Sequence, residues 1–114
     1  MIKLEELTLK NILSNLKKKE FSCFDIIKSY INRIDEIDKY NLVSEKLYDE
    51  ALLSAKNSDN KNLEDRLPLE GIPFAVKDIF CTQGNYTTAS SNILKSFISP
   101  YESTVTNNLK KSGA

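Results

Sequence analysis

Seven apolar side chains, Cys23, Ile26, Ile27, Tyr30, Ile31, Ile34 and Ile37, recur at intervals that place them on one side of a helix. No strand can gather this set, because successive strand side chains point to opposite faces; a helix brings them into a single stripe. Ser22 and Asp25 precede the stripe as a capping box, with Asp in the place Glu usually holds, so the helix is expected to open there. The stripe must be buried, and two neighbouring segments can cover it. Thr8 suits the N-cap of an earlier helix carrying Leu9, Ile12, Leu13 and Leu16. After a short extended piece at 41–44, a third helix should turn Leu47, Tyr48, Ala51, Leu52 and Ala55 inward. Lys17, Lys18 and Lys19 lie in the last turn of the first helix, where cations suit the helix dipole; with no second basic cluster they read as a solvated end.

The chain changes character at Pro68. Of its 32 charged residues (16 basic and 16 acidic), 25 precede Pro68 and 7 follow. Residues 1–56 therefore read as mainly helical, 57–67 (NSDNKNLEDRL) as a polar surface linker, and 68–114 as entry into a more buried core. GIPFAVKDIF, residues 71–80, reads as a strand buried on both faces, with Lys77 inside it. Gly84-Asn85 marks a turn, 90–97 suits a short helix, and Glu102-Ser103 starts a last amphipathic helix with Val105 and Leu109, closed by Gly113. This alternation of helix and strand points to the α/β class.

Lys77 admits three readings. Its stem can be buried while its head reaches water. It can pair with Asp78 or another carboxylate. Or desolvation can lower its pKa and leave a neutral amine able to accept a proton. Its place near the carboxyl end of a strand, where ligands gather in open α/β sheets, suits the third. Ser90 and Ser91 read as turn hydroxyls within a segment that also holds Thr87 and Thr88, and Cys81 as a small core residue.

Several classes are excluded or disfavoured. The formal net charge is zero, which gives no electrostatic footprint for nucleic acid or an anionic membrane surface. MIKLEELTLKNILSN carries Glu5 and Glu6 and no long apolar core, unlike a signal peptide, and no apolar run is long enough to span a bilayer. Two cysteines do not make a disulfide scaffold, so a reducing compartment is expected. There is no histidine, which rules out Ser-His-Asp, Cys-His and Cys2His2 zinc chemistry built from these residues alone.

From Leu67 onward the chain resembles the amidase-signature family. LPLEGIPFAVKDIF is similar to its opening motif, GNYTTASS to the Gly-x-x-Thr-Thr segment that follows, and SPYESTVTNNLKKSGA to its Pro-Tyr-Asp-Ala-Thr-Val stretch. The stretches DIFCTQG, TTASSNIL and SPYESTV resemble most the branch whose members are glutamine-hydrolysing A subunits of tRNA-dependent amidotransferases. The resemblance implies a single α/β domain, a mixed β-sheet covered by helices, of which these residues would be the helical start and first core strand. It implies a Ser–cis-Ser–Lys triad with Lys77 as general base and proton relay, and Asp78 in an orienting or structural role. The nucleophilic serine and the cis-serine lie in glycine-serine motifs that do not occur here, so they are expected beyond Ala114, and these residues alone should be inactive. Further implied are glutamine as substrate, ammonia transfer to a B subunit that uses ATP and Mg, a C subunit completing a heterotrimer, and misacylated tRNA(Gln) or tRNA(Asn) as acceptor. No cofactor, metal or membrane contact is expected of these residues, and the compartment would be cytosol, or an organelle stroma or matrix. A free-standing amidase and a non-enzymatic helical adaptor are the alternatives.

Overall fold

The computed structural model describes residues 2–114. Among them four α-helices follow one another: α1 (Leu9–Lys18), α2 (Cys23–Glu36), α3 (Tyr48–Asp59) and α4 (Thr104–Lys111). Three short 3-10 turns lie at Leu4–Glu6, Asp38–Tyr40 and Leu63–Asp65. The chain divides into two compact units: residues up to Pro73 together with Gly113–Ala114, and Phe74–Ser112. No helix is long and apolar enough to cross a membrane among the described residues.

The first unit is built from locally specified helices. Thr8 accepts the Asn11 N–H at 3.2 Å and opens α1, and Lys19, in the left-handed conformation, ends it. Ser22 Oγ accepts the Asp25 N–H at 3.0 Å while the Asp25 carboxylate accepts the Ser22 N–H at 3.0 Å, completing the capping box of α2. Asp59, the last residue of α3, accepts from the N–H groups of Cys23 at 2.7 Å and Phe24 at 3.0 Å. The end of one helix thus satisfies donors that the start of another leaves unpaired. The core forms where the three stripes meet: Ile12 and Leu16 of α1, Cys23, Ile26 and Ile27 of α2, and Ala55 of α3. Phe21, Phe24, Tyr30, Ile31, Leu52 and Ile72 pack around it.

One feature of this unit departs from expectation, and the residues after it are tied in as well. Helix α3 runs on to Asp59, three residues into the stretch expected as a surface linker, and Ser58 and Asp59 are tied into the fold. Glu70, two residues beyond Pro68, is 4 % exposed and accepts from Ser58 Oγ at 2.6 Å, Lys61 Nζ at 3.0 Å and the Leu67 N–H at 3.3 Å. Gly71 follows with φ +78, and a Cβ on it would collide with Cys23 Sγ, so only glycine fits.

The second unit corrects the strand. Residues 72–77 form no regular element and join no β-ladder, and Phe74, Val76, Ile79 and Phe80 are exposed. The physical reason is the absence of a partner: a strand is stabilised by ladder bonds to a neighbour, and the described residues offer this stretch none. The one β-pairing among the described residues is an isolated antiparallel bridge, Tyr86 with Ile98, flanked by Gly84 N–H to Ser99 C=O at 2.8 Å and Thr87 N–H to Phe97 C=O at 3.1 Å. The expected helix over 90–97 is a run of turns, in which Ser91 Oγ accepts the Ile93 N–H at 3.3 Å. Serine competes with helical bonding in this way. Helix α4 opens at Ser103, which accepts the Thr106 N–H at 3.3 Å. The residue it buries is Thr106, whereas Val105 is exposed.

Candidate functional site

The Lys77–Asp78 corner is positioned by backbone turns and by one loop. The Lys77 carbonyl accepts the N–H groups of Ile79 at 2.7 Å and Phe80 at 3.0 Å, so the chain turns sharply just after the lysine. Lys77 itself is exposed. The described residues do not bury it, because the segment carrying Lys77 has no strand partner among them.

Asp78 is not the ion-pair partner of Lys77. Its Oδ1 accepts the Thr88 N–H at 2.7 Å and its Oδ2 accepts from Thr88 Oγ1, while its carbonyl accepts the Ala89 N–H at 2.8 Å. The Thr88 hydroxyl and N–H hold the Asp78 carboxyl below the usual carboxylate range, so it is ionised at neutral pH. Thr88 then leads into a tight turn: Ser91 N–H donates to Thr88 C=O at 2.8 Å, and the central residues Ala89 and Ser90 have φ of 47° and 56°. Both are left-handed, as in a type I′ turn, a conformation that favours glycine or asparagine. Ser90 and Ser91 are therefore turn residues.

Cys81 is half-buried, and its carbonyl accepts the Ser103 N–H at 2.7 Å. The hydroxyls of Tyr101 and Ser99 lower the pKa of its thiol. Glu102 accepts the Gln83 N–H at 2.8 Å and pairs with Lys110 at 3.2 Å, which links the start of α4 to the loop after Cys81. Among the described residues no group of His, Cys, Asp and Glu side chains is placed to hold a metal ion. Thr88 is the site residue that sequence reasoning missed. The available signal was a threonine pair ten residues beyond an aspartate, weak because hydroxyls abound in this stretch.

Comparison with known proteins places the chain in a family. The Amidase family model matches residues 25–114, and the chain belongs to the amidase family. It is similar to the A subunit of the glutamyl-tRNA(Gln) amidotransferase of Pelagibacter ubique, 43% identical over 115 residues, covering 100% of this chain and 23% of that protein. The protein of the same name from Rickettsia bellii is 40% identical, covering 99% of this chain and 23% of the relative. That of a Caulobacter species is 41% identical, with 100% and 24% covered. The chain thus spans about a quarter of the length of the curated relatives it matches. Its backbone also resembles a solved structure from a vestigial protein complex bearing on the evolutionary origins of an s-triazine catabolic enzyme. The TM-score is 0.88 at 23% identity, over 95% of this chain and 24% of that one, a likeness of fold alone.

Proposed function

We propose that these residues are the part of a glutamine-hydrolysing amidotransferase subunit that carries its general base, Lys77. The observation that supports this most is the 43% identity along the full chain to an amidotransferase A subunit, with Lys77 inside the span that the Amidase family model matches. The remaining three quarters would contribute the two serines and the strands that convert residues 72–78 into part of a mixed α/β sheet. In the assembled site Lys77 takes a proton from the bridging serine on its cis peptide bond. That serine takes the proton of the nucleophilic serine, whose Oγ attacks the glutamine carboxamide carbon. Backbone N–H groups stabilise the oxyanion. The C–N bond breaks, ammonia leaves with the relayed proton, and water then cleaves the glutamyl ester. The ammonia passes to a B subunit, where ATP and Mg activate glutamyl-tRNA(Gln) or aspartyl-tRNA(Asn), and a C subunit completes the heterotrimer. The compartment would be the cytosol or an organelle stroma or matrix.

The test is Lys77→Ala in the full-length protein, in complex with its partners, measured by ammonia release from glutamine. Loss of turnover with an unchanged melting temperature is expected. Wild-type turnover removes Lys77 from the mechanism. Faster release from other carboxamides than from glutamine would instead make the protein a free-standing amidase.

A further inference from the structure

The direction in which the Lys77 side chain leaves the main chain is set by the backbone at 77–78, and Thr88 holds that backbone. Thr88 N–H and Oγ1 together occupy both oxygens of the Asp78 carboxylate, and the next residue, Ala89, donates its N–H to the Asp78 carbonyl. Two adjacent residues thereby fix Asp78, its side chain through charge-assisted bonds, which are stronger than neutral ones, and its main chain through a neutral backbone bond. The turn that delivers these donors contains two successive left-handed residues, Ala89 and Ser90, neither of them glycine. Such conformations persist where surrounding bonds over-determine them, and here Asp78 supplies those bonds.

We infer that Thr88 is a positioning residue for Lys77: by gripping Asp78 it holds the corner from which the base extends. The inference rests on the glutaminase reading. A lysine has a long, flexible stem, so a base built on it depends on a fixed root. A base must lie within hydrogen-bond reach of its proton, and a displacement of about 1 Å can cost about a hundredfold in rate. Thr88 touches neither substrate nor the reacting atoms in this scheme. It acts through Asp78.

The test uses the full-length protein in its complex, with steady-state glutamine hydrolysis as the readout. Thr88→Val keeps the shape and the N–H but removes the hydroxyl. It is expected to lower kcat by about tenfold or more while leaving KM for glutamine within about twofold. Thr88→Ser, which restores the hydroxyl, is expected to return kcat to near the wild-type value. A residue needed only for folding would lower the amount of active enzyme, visible in active-site titration, and leave kcat per active site unchanged. Wild-type kcat per active site in Thr88→Val, a KM rise that accounts for the loss, or a Thr88→Ser as impaired as the valine variant overturns the inference. If Thr88→Val does not fold, Asp78→Asn carries the test. It should show the same loss confined to kcat, and an unchanged kcat overturns the inference equally. Lys77→Ala separates the two readings: turnover in that variant sinks the glutaminase assignment of Lys77. An inactive Lys77→Ala beside a fully active Thr88→Val sinks only the positioning role.

Discussion

Glu70 is buried in the first unit, and replacing it should be among the costlier single changes there. Its carboxylate accepts from Ser58 Oγ at 2.6 Å, from Lys61 Nζ at 3.0 Å and from the Leu67 N–H at 3.3 Å. Burial opposes its ionisation, but Ser58, Lys61 and the Leu67 N–H outweigh burial and hold the carboxyl below its usual value. The Ser58 bond carries the most, because both groups are nearly inaccessible, at 5 % and 4 % exposure. A hydrogen bond to a buried charge is worth about 1.5–3 kcal/mol. The Lys61 side chain is 41% exposed, so solvent screening limits that pair to about 0.5 kcal/mol. Glu70→Ala also strands the Ser58 hydroxyl without a partner, so the expected total is about 3 kcal/mol. Glu70→Gln keeps an acceptor for Ser58 but turns an amide donor toward donors, and about 1–2 kcal/mol is expected. The assay is urea denaturation followed by circular dichroism, with the slope unchanged between variants. Because the folded carboxyl titrates below its unfolded value, its contribution is complete above the unfolded value of about 4.3 and fades as pH falls through the lowered folded value. Wild type and Glu70→Gln should therefore converge in acid. A Glu70→Ala cost under about 1 kcal/mol, or a Glu70→Gln difference that widens in acid, refutes the argument.

Gly71→Ala should destabilise by about 3 kcal/mol or more, from a left-handed backbone and an overpacked contact together. The contact part comes from the collision of the added Cβ with Cys23 Sγ. Adding Cys23→Ala to Gly71→Ala should recover that part and leave the backbone part; purely additive denaturation midpoints would show that the contact is not the cause. The two thiols should differ in reactivity. Burial, followed by the neighbouring Asp59 carboxylate, pushes the Cys23 thiol up to about 12, whereas the Tyr101 and Ser99 hydroxyls lower that of Cys81. Iodoacetamide at about pH 8 should label Cys81 and spare Cys23 until the chain is unfolded, as read by peptide mass mapping. Labelling of Cys23 first contradicts this.

What is legible in the sequence follows the range of the interactions involved. The starts of α1, α2 and α4 can be read from Thr8, Ser22 with Asp25, and Ser103, because a cap bonds within three residues of itself. The stripe of α2 can be read for the same reason, and its buried members are Cys23, Ile26 and Ile27. Two kinds of information are out of reach. Glu70 looks like one more charge beside a polar stretch, since nothing local announces that Ser58, twelve residues earlier, donates to it. Asp78 reads as orienting or structural, but its partner Thr88 is hidden among hydroxyls that all look alike until the turn at 88–91 folds. The strand fails differently. Phe74, Val76, Ile79 and Phe80 have the composition of a buried strand, and it is that composition, exposed here, that needs explaining. Apolar residues on an unpaired segment find no compensation for their exposure, since both the ladder bonds and the burial of a strand come from a neighbour. The sequence pattern therefore records a requirement for such a neighbour even where the described residues do not supply one. This gives the short reach of the relatives' coverage, about a quarter of their length, a physical counterpart. The helices of the first unit close on their own core, whereas the apolar side chains around Lys77 stay exposed for want of a strand partner among the described residues.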